Sequence, residues 1–237
     1  DKKMAAVIYL HEYVYAMGYA RSGDIISRMV NEGFAVFAFD QIGFGTRIEE
    51  GRLFYERFLH WSEMGRMTAD VRWSVDALSG HDLIDPEKIF VAGYSLGGAV
   101  ALYSAALDER IAGVVSVCGF TPMRTNLPGK TAEGIYEYSH LHGLIPRLGF
   151  FAGNEERIPY DFDEILGCIA PRPVLVIAPT WDQYADPEDI KQCVYEAGKV
   201  YSLYKVEESP ELFMPEDYNR LSSSVKGKMV SWLKENE

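Results

Sequence analysis

The stretch that decides the fold is Lys88–Leu107, KIFVAGYSLGGAVALYSAAL. Its first part, Ile89–Ala92, is an apolar run rich in strand formers, and from Ser95 small and apolar residues continue at helical spacing for about three turns. Between the two lies Gly93–Gly97, a G-x-S-x-G pattern. A serine at a sharp strand-to-helix turn has a strained backbone, so the crowded positions two residues before and two after it require glycine.

This turn predicts a reactive serine. It raises the Ser95 hydroxyl above the edge of the sheet, and the helix that follows presents free N–H groups and a positive dipole end to a developing oxyanion. We expect the Leu96 N–H to be one oxyanion donor. The alternative interpretation is a tight turn in an α/β sheet with an incidental serine.

Composition limits the kinds of partner. The chain has 237 residues, 48% of them hydrophobic, and a net charge of 23 − 35 = −12. This length suffices for one large α/β domain, and the negative charge argues against nucleic acid or an anionic membrane as partner. The three cysteines lie in apolar contexts, which predicts buried thiols and neither a disulfide framework nor a metal site. This cysteine pattern is compatible with a reducing or an oxidising cellular compartment.

Strand and helix patterns alternate along the chain. This alternation predicts a mostly parallel, doubly wound sheet with helices on both faces and right-handed crossovers, in a single domain over residues 1–237. Residues 119–161 break the alternation, and we interpret them as an insertion or lid over the carboxyl edge of the sheet. The predicted strands are Ala5–Leu10, Phe34–Phe39, Ile89–Ala92, Ile111–Cys118, Pro173–Ala178 and Ser202–Val206.

Four landmarks in this order resemble an α/β-hydrolase. They are His11-Glu12-Tyr13 after the first strand, the D-x-x-G-x-G turn Asp40–Gly45, the serine turn Gly93–Gly98, and the strand Pro173–Asp182. The resemblance spans essentially the whole chain and is to the esterase branch that includes acetyl-xylan esterases and dienelactone-hydrolase-like enzymes. It implies that the family's first two strands precede residue 1 and that the insertion follows the family's sixth strand.

The resemblance also implies roles for residues. Ser95 would be the nucleophile, and the backbone N–H groups of Leu96 and Tyr13 would form the oxyanion hole, worth roughly 3–4 kcal/mol of barrier per donor. Asp182 would orient a histidine. A solvated loop aspartate is the alternative for Asp182, and its neighbours Asp186 and Asp189 could substitute for it or cap the next helix.

The general base departs from the family pattern. The family's histidine follows the last strand, where this alignment places Pro210 or Glu211, and no histidine occurs after His142. The candidate imidazoles are His140 and His142, within the insertion. A serine hydroxyl without a proton acceptor is a poor nucleophile, so a site with no base would be inactive.

Two carboxylates are alternative candidates for the base, and the other histidines have different interpretations. Glu12, which stands where the family has glycine, or Glu211 could act as a carboxylate base if burial raised its pKa. His11 resembles the histidine that packs the oxyanion loop, while His60 and His81 have the pattern of surface positions. The H-x-H spacing of His140 and His142 could indicate a metal, but no nearby cysteine or H-E-x-x-H spacing supports one.

The sequence therefore predicts a serine hydrolase without a cofactor, acting on small-molecule or carbohydrate carboxylic esters through an acyl-enzyme on Ser95. The glycine loop at Gly43–Gly45 lacks the spacing of a dinucleotide-binding turn and the lysine of a P-loop. One alternative is a catalytically impaired or non-enzymatic domain on the same fold. Another is a different reaction on this scaffold, such as that of a lyase or a peptidase.

Overall fold

The computed structural model of the chain describes residues 3–14, 22–125, 134–141, 143–206 and 208–237. Within these ranges six strands form one sheet in the order β2-β1-β3-β4-β5-β6, and every neighbouring pair is parallel. The strands are β1 Met4–Leu10, β2 Ala35–Ala38, β3 Ile84–Tyr94, β4 Ile111–Val117, β5 Val174–Ile177 and β6 Glu211–Phe213.

Helices cover both faces of this sheet. The α-helices of the described ranges are α1 Gly23–Asn31, α2 Ile48–Gly51, α3 Phe54–Arg57, α4 Glu63–Ser79, α5 Leu96–Leu107, α6 Phe162–Ile169, α7 Pro187–Leu203 and α8 Ser223–Glu235. Buried side chains of α4, α5, α6 and α7 form one core with one face of the sheet, and those of α1 and α8 form a second core with the other face. The prediction of a doubly wound α/β sheet is confirmed.

The strands alternate their side chains between the two cores, as the period of a β-strand requires. In β1, Ala6, Ile8 and Leu10 join the first core, while Val7 and Tyr9 join the second. Because both faces are covered, these strands are continuous apolar runs in the sequence.

Helix α5 is the central helix of the first core. Ten of its residues are buried, from Leu96 to Ala105, so it has no solvent-facing stripe over that length. A helix that is apolar all round needs neighbours on every side. Its neighbours are β1, β3, β4, α4 and α6, so it is enclosed behind Ser95.

The prediction of the last strand is wrong. Residues 202–206 do not form a strand: α7 continues to Leu203, and β6 is only Glu211–Phe213. The apolar spacing of Ile190, Val194, Ala197 and Tyr201 extends the buried face of α7 by a further turn. The last helix begins at Ser223, where the Ser222 side chain accepts from the Val225 N–H.

The described part of segment 119–161 consists of short turns of helix. Glu137–Leu141 is a π-helical turn, and Pro146–Phe151 and Glu155–Arg157 are 3₁₀ turns. The Tyr138 ring is buried, and its hydroxyl accepts from the Thr121 N–H, four residues beyond β4, at 3.3 Å. Residues 126–133 and His142 lie outside the described residues, and the lid remains a prediction.

No helix in the described ranges combines the length and the apolarity that crossing a lipid bilayer demands.

Candidate active site

The backbone is strained at Ser95. This residue has φ 51° and ψ −118°, in the left-handed half of conformational space, between the end of β3 and the start of α5. Such a conformation costs on the order of 1–3 kcal/mol and persists only when the surroundings fix it. Here the Ser95 N–H donates to the Val117 carbonyl at 2.8 Å, and its carbonyl accepts from the Ala99 N–H at 3.1 Å. The half-buried Ser95 side chain is thus held at the carboxyl edge of the sheet.

Glycines make this turn sterically possible. A Cβ at Gly93 would lie 2.1 Å from the Gly97 carbonyl oxygen, and one at Gly97 would lie 2.1 Å from the Leu10 carbonyl oxygen. A Cβ at Gly98 would lie 2.8 Å from Gly119 Cα. The same closeness brings the chain that leaves β1 directly against the serine turn.

That chain, His11-Glu12-Tyr13, is the segment whose sequence resembles an oxyanion loop. His11 is buried; its Nδ1 lies 2.7 Å from the Glu12 carbonyl oxygen, and its Nε2 accepts from the Gln41 N–H at 3.0 Å. Because Nε2 accepts the second hydrogen bond, Nδ1 donates its N–H to the Glu12 carbonyl oxygen. With both ring nitrogens occupied, His11 packs the loop and takes no proton from Ser95.

Leu96 and Tyr13 belong to the two chain segments that pack together at the serine turn. Leu96 is the first residue of α5, where helix geometry leaves the N–H groups of the first turn without intrahelical partners. Tyr13 lies three residues beyond β1, and its ring packs edge-on against Phe44 with centroids 5.0 Å apart. Their N–H groups as oxyanion donors remain a proposal.

Asp182 follows β5 and is buried, with 8% of its surface exposed. Its Oδ1 accepts from the Tyr184 N–H at 2.9 Å, and its Oδ2 accepts from Asn219 Nδ2 at 2.9 Å. Burial raises the pKa of Asp182, while these two bonds and one from the Cys118 thiol oppose that rise. The thiol pKa is itself far above its usual range because Cys118 is buried and lies beside Asp182. Asp182 is therefore an oriented carboxylate and not a solvated loop residue.

Asn219 is a site residue that the sequence analysis missed. It reaches Asp182 because the chain after β6 pairs with the chain after β5. The Thr180 N–H donates to the Pro215 carbonyl and the Trp181 N–H to the Asp217 carbonyl, each at 3.0 Å. The alignment placed Pro210 or Glu211 in the histidine's position. Glu211 is the first residue of β6, whereas the residue that Asp182 contacts lies beyond the carboxyl end of that strand.

Tyr94 connects Asn219 to the serine turn. Its hydroxyl donates to Asn219 Oδ1 at 2.8 Å and lies 3.0 Å from the Asn219 carbonyl oxygen. Burial raises the pKa of Tyr94 well above its usual value, with smaller contributions from the charges of Cys118, Glu12 and Asp182. Acid, amide and phenol thus form one hydrogen-bonded chain that ends at the residue preceding Ser95.

The candidate bases lie in different places. Glu211 is the first residue of β6, opposite Leu175, and its carboxylate is ion-paired with Lys228. His140 is exposed, and its Nδ1 lies 2.7 Å from Ser139 Oγ. Glu12 is half-buried in the loop against the serine turn, and its charge acts on Tyr94. His142 lies outside the described residues.

Within the part of the chain that the structure describes, no three histidine, cysteine, aspartate or glutamate side chains are grouped as metal ligands.

Three comparisons relate the chain to known proteins. A family model described as "Glucuronyl esterase, fungi" matches residues 13–204. The chain is 26% identical over 196 residues to the putative hydrolase YtaP of Bacillus subtilis, an alignment that covers 81% of this chain and 61% of YtaP. It is 27% identical over 146 residues to carbohydrate esterase MZ0003 from an unknown prokaryotic organism, covering 60% of this chain and 34% of that protein. The chain thus spans less than two thirds of the length of these relatives.

A solved structure shares the architecture. A glucuronoyl esterase from Teredinibacter turnerae superposes with a TM-score of 0.77 at 16% sequence identity, over 99% of this chain and 67% of that one. At this identity the likeness concerns the fold alone. It agrees with the α/β-hydrolase fold expected from the four sequence landmarks.

Substituting Gly97 by alanine should disrupt the site, because the new Cβ would lie 2.1 Å from the Leu10 carbonyl oxygen. We expect Gly97→Ala to lower the free energy of unfolding by about 1–3 kcal/mol, the usual cost of overpacking. Urea unfolding measures this change.

Gly227 is the matched control, because it lies inside α8 with no atom within 4 Å of an added Cβ. Gly227→Ala should raise the free energy of unfolding by about 0.5–1 kcal/mol through helix propensity. Equal stabilities for Gly97→Ala and wild type would contradict the steric account of the turn.

Proposed function

This chain belongs to the glucuronyl esterase family, and from that membership we propose that it is a carboxylic-ester hydrolase acting on carbohydrate esters. The observation that carries the proposal is the strained turn at Ser95, with φ 51°, in surroundings so close that a Cβ added at Gly93 or Gly97 would lie 2.1 Å from a backbone carbonyl oxygen. Strain of this kind, retained at the N-terminus of a buried helix, supports a catalytic role.

In the proposed reaction, Ser95 Oγ attacks the ester carbonyl carbon. A C–O bond forms while the hydroxyl proton passes to a base, and the carbonyl oxygen becomes an oxyanion facing the Leu96 and Tyr13 N–H groups. The proton then moves to the leaving alcohol oxygen as the original C–O bond breaks. Water repeats the sequence on the acyl-enzyme, releasing the carboxylic acid and restoring the hydroxyl.

Glu12 is the proposed proton acceptor of the wild-type chain. Its loop lies against the serine turn, since a Cβ at Gly97 would be 2.8 Å from the His11 carbonyl oxygen. The contribution of the Glu12 charge to the Tyr94 pKa supports this proximity. His140 and His142 are the alternative acceptors. A carboxylate is a weaker base than an imidazole, so the proposal implies slow turnover.

A carbohydrate ester is the proposed substrate class. One relative is named a carbohydrate esterase, and the family is named for glucuronyl esters. Exposed aromatic rings beside Asp182 support it: Trp181 is 51% exposed and Tyr218 is 60% exposed, with ring centroids 5.3 Å apart. Such faces can stack on the apolar face of a sugar ring.

A catalytically impaired domain on this fold is the second candidate. The contact between Asp182 and Asn219 favours it, because an amide cannot accept the serine proton as an imidazole would. Such a domain would bind the same esters without forming an acyl-enzyme.

Replacing Ser95 by alanine should reduce ester hydrolysis to the uncatalysed rate while the melting temperature stays near that of wild type, because only the nucleophile is lost. A fluorophosphonate probe should label wild type at Ser95, as mass spectrometry of its peptides would show, and should not label Ser95→Ala.

Ser202→Ala is the control, since this exposed serine lies in α7 and its hydroxyl donates to the Gly198 carbonyl. It should retain labelling and activity. Unlabelled wild-type protein would support the impaired domain, and equal hydrolysis by wild type and Ser95→Ala would exclude the serine mechanism.

Trp181→Ala should weaken the binding of methyl glucuronate about tenfold, equivalent to 1.4 kcal/mol, because a stacking face beside Asp182 is lost. Isothermal titration calorimetry measures this affinity without requiring turnover. Trp73→Ala is a matched control, since Trp73 is 52% exposed but lies in α4 over Arg66. Equal losses in the two variants would count against a sugar-binding role for Trp181.

A further inference from the structure

We infer that position 219 is the general-base position of this hydrolase, and that asparagine there keeps the wild-type enzyme slow. The inference rests on the proposed function, because it concerns the same serine. Three sets of contacts carry it: those of Asp182, those of Tyr94, and those that fix the loop between β6 and α8.

An activated serine needs a base within hydrogen-bond reach and a third group that orients the base. Asp182 has the properties of the orienting group, being buried, fixed by the Tyr184 N–H and placed after β5 at the carboxyl edge. The side chain amide that it binds is that of Asn219, at 2.9 Å. Because a carboxylate only accepts hydrogen bonds, this contact also fixes the amide with Nδ2 toward Asp182.

The other side of Asn219 faces the serine turn. Its Oδ1 accepts from the Tyr94 hydroxyl at 2.8 Å, and Tyr94 immediately precedes Ser95. Asn219 therefore bridges the acid and the side chain of the residue that precedes the nucleophile.

The backbone at this position is held by its own contacts. Besides the two bonds that join the chain after β6 to the chain after β5, the Ala178 N–H donates to the Phe213 carbonyl at 3.0 Å. Asp217 is buried, and its Oδ1 accepts from the Tyr218 N–H at 2.8 Å and from Arg220 Nε at 2.7 Å. A change of side chain at 219 leaves all of these bonds available.

Histidine can replace asparagine in the contact to Asp182, and the Tyr94 hydroxyl can still donate to the backbone carbonyl of residue 219. Nδ2 of asparagine and Nδ1 of histidine are both three bonds from Cα, so an imidazole Nδ1–H can replace the amide in the bond to Asp182. The ring then extends one atom further to Nε2, which asparagine lacks. Nε2 would take the Ser95 proton as Oγ bonds to the carbonyl carbon and return it to the leaving alkoxide oxygen, so no other reactant is needed.

Asn219→His tests the inference, with 4-nitrophenyl acetate as substrate. At pH 8 we expect kcat/KM to rise about 10²-fold or more over wild type, the usual contribution of a positioned base. The rise should follow a single ionisation at or above about 6.5, the ordinary pKa of imidazole, because the Asp182 carboxylate favours the charged ring. Wild type should show no such ionisation.

The titratable groups around this position contribute to the same pH profile. Asp182 and Tyr94 contact Asn219 directly, Cys118 lies beside Asp182, and the Glu12 charge acts on Tyr94. Asp217 and Arg220 lie on the same loop as Asn219. Adding Asp182→Asn to the histidine variant should remove most of the gain, whereas Asn219→Gln in the wild-type background should produce none. A gain that survives Asp182→Asn, or a folded histidine variant with no gain, would overturn the inference.

A second measurement decides the matter if the histidine variant does not fold. Asn219→Gly leaves a gap beside Asp182, and imidazole added to the solution should restore ester hydrolysis with saturation, while leaving wild type unchanged. Absence of that rescue in folded protein would refute the inference.

Fluorophosphonate labelling separates this inference from the proposed function. If wild type is labelled at Ser95 and no variant has a higher kcat/KM, the serine hydrolase proposal is supported and the assignment of position 219 is wrong. If no form of the protein is labelled, both proposals are wrong.

Discussion

Close contact between backbone segments is the constraint on which the rest of the site depends. Gly97 lies so near the Leu10 carbonyl, and Gly93 so near Gly97, that any side chain there would collide at 2.1 Å. This packing holds Ser95 at φ 51° and sets the loop after β1 beside the nucleophile. The apolar surroundings of α5 keep the arrangement rigid, so the strain at Ser95 is not relieved by local movement.

The second part of the site depends on pairing between distant loops. The chains after β5 and β6 are joined by backbone hydrogen bonds, and these bring Asp182 and Asn219 to 2.9 Å. With Tyr94 completing the network, each polar group has a partner, which offsets the cost of burying the Asp182 carboxylate. The Asn219 amide satisfies the hydrogen bonds of this network on both sides. These bonds form whether or not the side chain at position 219 can accept the serine proton.

The sequence predicted those parts of the structure that local sterics determine. The glycine spacing around Ser95 and the apolar runs of β1, β3 and β4 each specify their own conformation. The last strand was placed wrongly from the sequence, because β6 has only three residues and the apolar stripe of α7 continues to Tyr201. Asn219 could not be found from pattern alone, since its role arises from pairing with Asp182, 37 residues away in sequence.

We propose that Ser95 is a nucleophile held against two oxyanion donors. The most direct test is a crystal structure of the wild-type protein after reaction with a fluorophosphonate. We expect phosphorus bonded to Ser95 Oγ and a phosphoryl oxygen at about 2.7–3.1 Å from the backbone nitrogens of Leu96 and Tyr13. A phosphoryl oxygen turned away from both nitrogens, or phosphorus on a different residue, would contradict it.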